Sequence, residues 1–268
     1  MTDIAPILIV NTETSIPVRV KEQLRVYENG RSYLYIQAAA NAQQRNQAGT
    51  YMIQLDAAGL ETVQNIVAEL LALPPQAEGA FPDGIRRTIT VSQGEKSQSH
   101  LLPAQIVAAT SPTLARITTW VSEFMTHIFS NPLAVVGLQA KVKAMPDKPP
   151  LLLLTCDSLG SETVSFLFRP ESLAILAESG RGVVPVWQNS QRETASFIDG
   201  RGKLVDGVYT AAKLAPGQSA TAVYSQTIPA IQPAMHIQVE GWIELYGEEG
   251  ETAVTPQDPI WLVTQLTD

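Results

Sequence analysis

Hydrophobic and polar positions repeat with two different periods along the first 130 residues. Alternation at every second residue, which is typical of half-buried strands, runs from Val18 to Tyr27 and again from Ser32 to Ile36. Asn29-Gly30 lies between them and favours a hairpin with a type I′ turn, because both residues accept positive φ. Further strands are predicted over 7–10, 50–55, 85–91 and 97–102, and the last two form a second hairpin that turns at 93–95.

Apolar residues at three- and four-residue spacing predict two helices. The first is expected to begin at an Asp56 cap and to end before Pro74-Pro75. The second is expected to begin at Ser111-Pro112, with a serine side-chain cap and proline at the first helical position, and to end at Asn131-Pro132. The two apolar stripes are Leu60, Val63, Val67, Leu70 and Leu71, and Leu114, Ile117, Val121, Phe124, Met125 and Ile128.

The periodicity of hydrophobic positions changes at Pro132, and the residues after it show the pattern of strands alone. Two hairpins that each lead to a helix predict an α+β N-terminal domain, an antiparallel sheet with two helices, over residues 1–131. Short strands separated by turns, such as Met145–Pro150 and Leu214–Ser219, predict an all-β sandwich of the immunoglobulin-like kind over residues 132–268. We therefore expect two domains.

The composition and net charge of the chain limit the classes of partner that we expect. The chain of 268 residues has 26 acidic against 18 basic side chains and a net charge of −8, so nucleic acid and anionic membrane surfaces are not expected partners. The opening residues lack a basic leader, and no apolar run reaches the length of a spanning helix. The single cysteine, Cys156, fits a reducing compartment. We expect a cytoplasmic protein.

No familiar catalytic or metal-binding pattern occurs in the sequence. His100, His127 and His236 fall on three separate predicted elements, and no His-Glu-x-x-His pair is present. Cys156 follows four leucines and a threonine, which is typical of a buried small hydrophobe. Neither a Gly-x-Ser-x-Gly elbow nor a glycine-rich phosphate loop is found. We expect no catalytic residue, no cofactor and no metal.

The first half carries four short motifs: Leu55-Asp56, Leu70-Leu71-Ala72-Leu73-Pro74, Arg87-Thr88-Ile89-Thr90-Val91 and the helix around Leu114 to Phe124. Through these motifs, the segment from about Ile7 to Phe129 resembles emfourin, a small protein inhibitor of thermolysin-like metallopeptidases. The resemblance implies that a loop or hairpin edge would occupy a peptidase cleft, with the loops over 38–48 and 81–84 as candidates and Phe81 and Asp83 as partner-binding residues.

The second half contains three further motifs: Val164–Phe168, Pro185-Val186-Trp187 and Leu214–Ser219. Through them it is similar to immunoglobulin-like sandwiches, and more loosely to the bacterial intracellular proteinase inhibitor of subtilisin-type enzymes. It is an analogy of fold, which by itself implies little about function.

Tyrosines on the first hairpin are the remaining candidates for partner binding. We expect a partner to contact Tyr27, Tyr33 and Tyr35, because tyrosine is enriched at interfaces. One of the hairpin's two alternating faces is expected to pack against the helices instead. The expected function is non-enzymatic protein binding, as a peptidase inhibitor or regulator. The alternatives are a structural module that assembles through sandwich edge strands, and an enzyme or small-ligand binder with a pocket between domains. The oligomeric state stays open.

Overall fold

A computed structural model gives the architecture, and it describes residues 5–14, 20–39, 45–74, 86–102, 111–168, 172–179, 182–188, 195–197, 202–205, 209–224, 235–245 and 260–267. The chain divides into two compact units. Unit 1 comprises Met1–Ile36 and Thr50–Pro132, and unit 2 comprises Gln37–Gly49 and Leu133–Asp268.

Unit 1 contains both described helices and most of the first six described strands, although β3 ends and β4 begins in unit 2. Their bounds are β1 Pro6–Thr14, β2 Val20–Tyr27, β3 Arg31–Ala38, β4 Gln47–Gln54, α1 Ala57–Ala72, β5 Arg86–Gln93, β6 Lys96–Leu102 and α2 Pro112–Phe129.

The sheet of unit 1 is antiparallel and has a fixed register. β1 lies between β2 and β5, with Val10 opposite both Leu24 and Ile89. β6 continues the sheet beyond β5, with Ile89 opposite His100. Since side chains alternate across a strand, these residues share one face, which we call the inner face. Its apolar residues are fully buried: Leu8, Val10, Leu24, Val26, Leu34, Ile36, Ile89, Val91 and Leu102.

Helix α1 forms as its sequence predicts. The Asp56 carboxylate accepts a hydrogen bond from the Gly59 backbone N–H at 2.8 Å, which satisfies one of the unpaired donors of the first turn. Its last turn is closed by β6, since Gln98 donates to the carbonyl of Leu73 and His100 contacts the carbonyl of Leu70. The buried residues of α1 are Val63, Ile66, Val67 and Leu70.

Helix α2 begins with proline at its first turn, as predicted, but the predicted serine cap is wrong. The Ser111 side chain makes no capping hydrogen bond, although its backbone carbonyl accepts from Ala115 at 3.1 Å. Arg87, an inner-face residue of β5, donates to the Ser122 hydroxyl at 2.8 Å and so joins the sheet to this helix. The buried residues of α2 are Leu114, Ile117, Thr118, Val121, Met125 and Ile128.

Both predicted hairpins are present, but the first uses a different turn. Gly30 has φ +81°, while Asn29 is not among the residues with positive φ, so the predicted type I′ turn is wrong. The Gly30 N–H donates to the Tyr27 carbonyl at 2.9 Å, and a single left-handed glycine after that turn is typical of a three-residue hairpin loop. The second hairpin has a two-residue loop that begins with Gly94 at φ +59°.

Unit 2 consists of strands in the described part of the chain. β7 and β8 form a long hairpin, β15 pairs with β8, and β16 pairs with β9, β10 and β17. β17 also runs parallel to β7. The bounds are β7 Pro132–Met145, β8 Lys148–Ser158, β9 Val164–Phe168, β10 Ala174–Ser179, β11 Gly182–Gln188, β12 Ala195–Phe197, β13 Gly202–Val205, β14 Tyr209–Leu214, β15 Ser219–Tyr224, β16 Met235–Leu245 and β17 Ile260–Thr267.

A short segment from early in the chain completes unit 2. The carbonyls of Arg45 and Asn46 accept backbone hydrogen bonds from Val263 at 2.9 Å and Leu138 at 2.8 Å. Ala48 is fully buried in the apolar cluster of this unit, alongside residues such as Leu154 and Phe166. Residues 45–48 therefore contribute both hydrogen bonds and core to a unit whose larger part is Leu133–Asp268.

The predicted fold class is wrong. The described residues are mostly β, with two helices among them, and strand pairing places the seventeen described strands in one sheet. An α+β domain followed by a separate immunoglobulin-like sandwich is therefore not what the chain forms. Strand and helix periods report which face of an element is buried and not which strands pair, and β4 pairs with β7.

Neither helix of the described residues is long and apolar enough to cross a membrane.

Candidate functional site

The three predicted tyrosines lie together on one face of the unit 1 sheet. Tyr27 belongs to β2, and Tyr33 and Tyr35 belong to β3. Each alternates with buried core residues, such as Val26 and Leu34, so the tyrosines occupy the opposite face, which we call the outer face. All three are half-buried. The hairpin face that packs in the core is the one carrying Leu24, Val26, Leu34 and Ile36.

The rings contact one another in sequence. Tyr27 and Tyr33 meet edge to face, with centroids 5.9 Å apart and planes at 88°. Tyr33 stacks against Tyr35 at 6.0 Å with planes at 15°. Offset stacking and edge contacts are the geometries that the ring quadrupole favours, so the three rings form a rigid aromatic row.

Polar side chains continue this row along β2 and β1. The Arg25 guanidinium carbon lies 5.3 Å from the centroid of the Tyr35 ring, within cation–π range. Arg25 Nε donates to Gln23 Oε1 at 2.6 Å, and Gln23 Nε2 donates to Asn11 Oδ1 at 2.7 Å. These contacts fix the rotamers of side chains that would otherwise lose freedom on binding. We call Asn11, Gln23, Arg25, Tyr27, Tyr33 and Tyr35 the tyrosine face.

The tyrosine face has the composition of a protein-binding surface. Tyrosine and arginine are enriched at interfaces and supply most binding hot spots, because they combine large contact area with polar tips. The ring contacts and the hydrogen bonds of Arg25 and Gln23 already hold these side chains, which lowers the entropy lost on docking. Asn11 and Gln23 offer both donors and acceptors beside the rings. The tyrosine face therefore has the properties of a surface that binds another protein. Its six residues do not include a nucleophile paired with a base.

Two of the predicted partner-binding residues cannot be placed. Phe81 and Asp83, with the rest of the loop over 81–84, lie outside the described residues. The predicted loop over 38–48 is described only at its ends. Ala38 ends β3, and Gln47 and Ala48 already belong to β4, while residues 40–44 lie outside the described part.

The histidines and the cysteine fall on separate elements. His100 lies in β6, His127 near the end of α2 and His236 in β16. Cys156 is buried in the unit 2 core, and its burial, followed by the nearby Asp157 carboxylate, raises the pKa of the thiol to about 12. Such a thiol carries little thiolate at neutral pH and is a poor nucleophile. No group of three or more potential metal ligands occurs among the residues that the structure describes.

A buried polar row on the inner face was not anticipated from the sequence. Thr12 stands opposite Glu22 on one side and Arg87 on the other, and Arg87 Nε donates to the Thr12 hydroxyl at 3.1 Å. Burial lowers the pKa of Arg87, and the charge of Glu22 opposes that shift. Because Arg87 also bonds Ser122, the row joins the sheet to α2 and has a structural role.

Arg25, Gln23 and Asn11 are the site residues that sequence reasoning missed. A signal was available, because all three follow the same period-two alternation as the tyrosines. Their mutual contacts depend on the pairing of β1 with β2, in which Asn11 stands opposite Gln23. That pairing joins residues 12 positions apart on two strands, and alternation alone does not specify its register.

Neither the models of known protein families nor the curated proteins include a match to this chain. The resemblance to emfourin therefore stays an expectation drawn from the sequence.

Proposed function

We propose that this chain is a non-enzymatic protein-binding protein of the cytoplasm that docks its partner on the tyrosine face. The observation that carries the proposal is the contiguous row from Tyr27 through Tyr33 and Tyr35 to Arg25, in ring contacts of 5.9, 6.0 and 5.3 Å. A row of this length, held on a sheet rather than on a loop, is a rigid anchor of the kind that dominates binding energy in interfaces.

We propose that the partner is a peptidase, which the chain either inhibits or regulates. The support is the resemblance of the first half to emfourin, through motifs such as Leu55-Asp56 and Arg87–Val91. The half-buried side chains of the tyrosine face are also held by their mutual contacts, and a preorganised surface loses little entropy on binding a peptidase.

Titration of purified chain against thermolysin-like and subtilisin-like peptidases tests this proposal. We expect the peptidase to cleave a small chromogenic substrate more slowly at micromolar concentrations of the chain. The chain itself should stay intact, as judged on a denaturing gel. An unchanged cleavage rate with both peptidase classes would remove the inhibitor proposal. Concentration-dependent self-association in size-exclusion chromatography with light scattering, together with that result, would favour the assembly alternative.

A further inference from the structure

The turn of the first hairpin contains the one asparagine of the chain that precedes a glycine. Asn29 is exposed and Gly30 follows it, whereas each of the other asparagines precedes a larger residue. A glycine nitrogen has no Cβ beside it to hinder its approach to the preceding side-chain amide. Asn29 is therefore the asparagine of this chain whose side chain is sterically most open to reaction with the backbone.

The reaction open to this pair of residues is deamidation. The Gly30 backbone nitrogen loses its proton and attacks Cγ of Asn29, so an N–Cγ bond forms. The Cγ–Nδ2 bond breaks, and the Nδ2 group leaves as ammonia after taking up that proton. Water then opens the cyclic imide at either carbonyl and gives aspartate or isoaspartate. No atom changes its oxidation state, and water is the only co-reactant.

The folded turn restrains both reacting groups. The Gly30 N–H donates to the Tyr27 carbonyl at 2.9 Å, so the proton that must leave is hydrogen-bonded. Asn29 Oδ1 accepts a hydrogen bond from the Arg31 N–H at 3.0 Å, which holds the side-chain amide against the residue after Gly30. A hydrogen-bonded backbone amide reacts when its segment opens locally. Deamidation of Asn29 therefore proceeds through an opened turn.

Gln54, the last residue of β4, and Leu55 after it keep this turn closed. Gln54 Nε2 donates to the Asn29 carbonyl at 2.8 Å, and the Leu55 N–H donates to the Gly30 carbonyl at 3.0 Å. Gly30 is buried beneath them, since a Cβ atom at this position would lie 2.8 Å from Gln54 Nε2. The bond from Gln54 is exposed, so its removal frees the turn without opening the core.

We propose that Asn29 is a deamidation site whose rate is set by the opening of this turn, which the Gln54 side chain keeps closed. The modification places a carboxylate in the turn between the strands that carry Tyr27 and Tyr33. Isoaspartate also lengthens the main chain of the turn by one methylene. The inference does not depend on a peptidase partner, so the inhibition experiment neither supports nor removes it.

Peptide mapping by mass spectrometry, on the full chain incubated in mildly alkaline buffer, tests the proposal. The peptide that contains Asn29 should gain the mass difference between an amide and a carboxyl group. We expect the chain unfolded in guanidinium chloride to convert at least about tenfold faster than the folded chain, because unfolding removes the bonds of the turn. Gln54→Ala should speed conversion of the folded chain about fivefold, as expected for the loss of one net hydrogen bond.

Gln139→Ala is the matched control. Gln139 is an exposed glutamine of β7 whose Nε2 donates to Asp157 Oδ2 at 2.9 Å, so its replacement removes a comparable bond in unit 2 and should leave conversion at Asn29 unchanged. Circular dichroism checks that both variants fold. Equal rates for the folded and unfolded chain, equal rates for Gln54→Ala and wild type, or an equal acceleration in Gln139→Ala would overturn the proposal. The absence of conversion at Asn29 in the unfolded chain would also overturn it.

Discussion

The Nε2 atom of His100 lies 2.9 Å from the carbonyl oxygen of Leu70, so a strand side chain closes the last turn of the first helix. His100 is only 1% exposed, and its Nδ1 atom has no hydrogen-bond partner among the described residues. The ring is thus held by one hydrogen bond and by packing. Replacing it leaves a buried carbonyl with one fewer donor, which costs about 1–3 kcal/mol.

We therefore expect His100→Leu to lower the free energy of unfolding by about 2 kcal/mol in urea denaturation. His127 is exposed on α2 and provides the control, since His127→Leu should change stability by less than about 0.5 kcal/mol. Equal effects of the two substitutions would show that the bond to Leu70 adds nothing.

The two helix starts differ in a way that mutagenesis can measure. Asp56 accepts a bond from Gly59 at 2.8 Å, whereas the Ser111 side chain makes no capping bond. Asp56→Ala should lower the unfolding free energy by about 1 kcal/mol, and Ser111→Ala should have almost no effect. A larger loss from Ser111→Ala than from Asp56→Ala, measured by thermal or urea denaturation, would contradict the difference between these caps.

Gly160 is required because the backbone of β7 passes beside it. A Cβ atom at this position would lie 2.1 Å from the carbonyl oxygen of Leu133, which already accepts a bond from Glu162 N–H at 2.8 Å. Gly160→Ala should destabilise the chain by about 3 kcal/mol or more, since backbone must move. Gly217 is the control, because a Cβ there meets nothing within 4 Å and only its φ of +70° is strained, at about 1 kcal/mol. Similar losses of stability from the substitutions at Gly160 and Gly217 would contradict the close approach of Gly160 to the Leu133 carbonyl.

Cys156 makes stability depend on pH in the alkaline range. Burial, and then Asp157, raise the pKa of its thiol from 9.0 to about 12. The folded chain keeps this proton where the unfolded chain has lost it. The contribution is therefore complete below the unfolded pKa of 9.0 and is lost as pH rises through the folded pKa of about 12.

Urea unfolding at about pH 8 and about pH 10 checks this expectation, with a fall of up to about 1.4 kcal/mol per pH unit from this one group. Cys156→Ala should unfold with a smaller pH dependence than the wild type over the same interval. Identical slopes, or rapid reaction of the native thiol with a maleimide at neutral pH, would show that Cys156 is not buried as described.

Local features of this fold follow from the sequence, whereas long-range ones do not. The Asp56 cap is confirmed, because capping involves residues within one helix. Of the predicted stripe, Val63, Val67 and Leu70 are buried, whereas Leu60 and Leu71 are half-buried. The closing of α1 by Gln98 and His100 was not predicted, since it joins residues 25 and 30 positions apart. The turn at Gly30 shows a limit even at short range, because Asn-Gly fits more than one hairpin loop.

The predicted fold class was wrong because strands can pair with partners that are distant in the sequence. The sequence shows a change of rhythm at Pro132, but nothing in it shows that Ala48 packs in the core of unit 2. In the site, period-two alternation was enough to place Tyr27, Tyr33 and Tyr35 on one face. Their contact with Arg25, and the link through Gln23 to Asn11, required the register of the strands.

The most direct test of the account is the inhibition constant of the chain against a susceptible peptidase before and after Tyr33→Ala. Tyr33 contacts both other tyrosines, so its loss should raise the inhibition constant by about tenfold or more, as expected for a hot-spot residue. Trp120→Ala is the matched control, because Trp120 is another half-buried aromatic that stacks on Phe124 at 4.9 Å and should leave inhibition intact. An unchanged constant for folded Tyr33→Ala, or an equal rise for both variants, would contradict the assignment of binding to the tyrosine face.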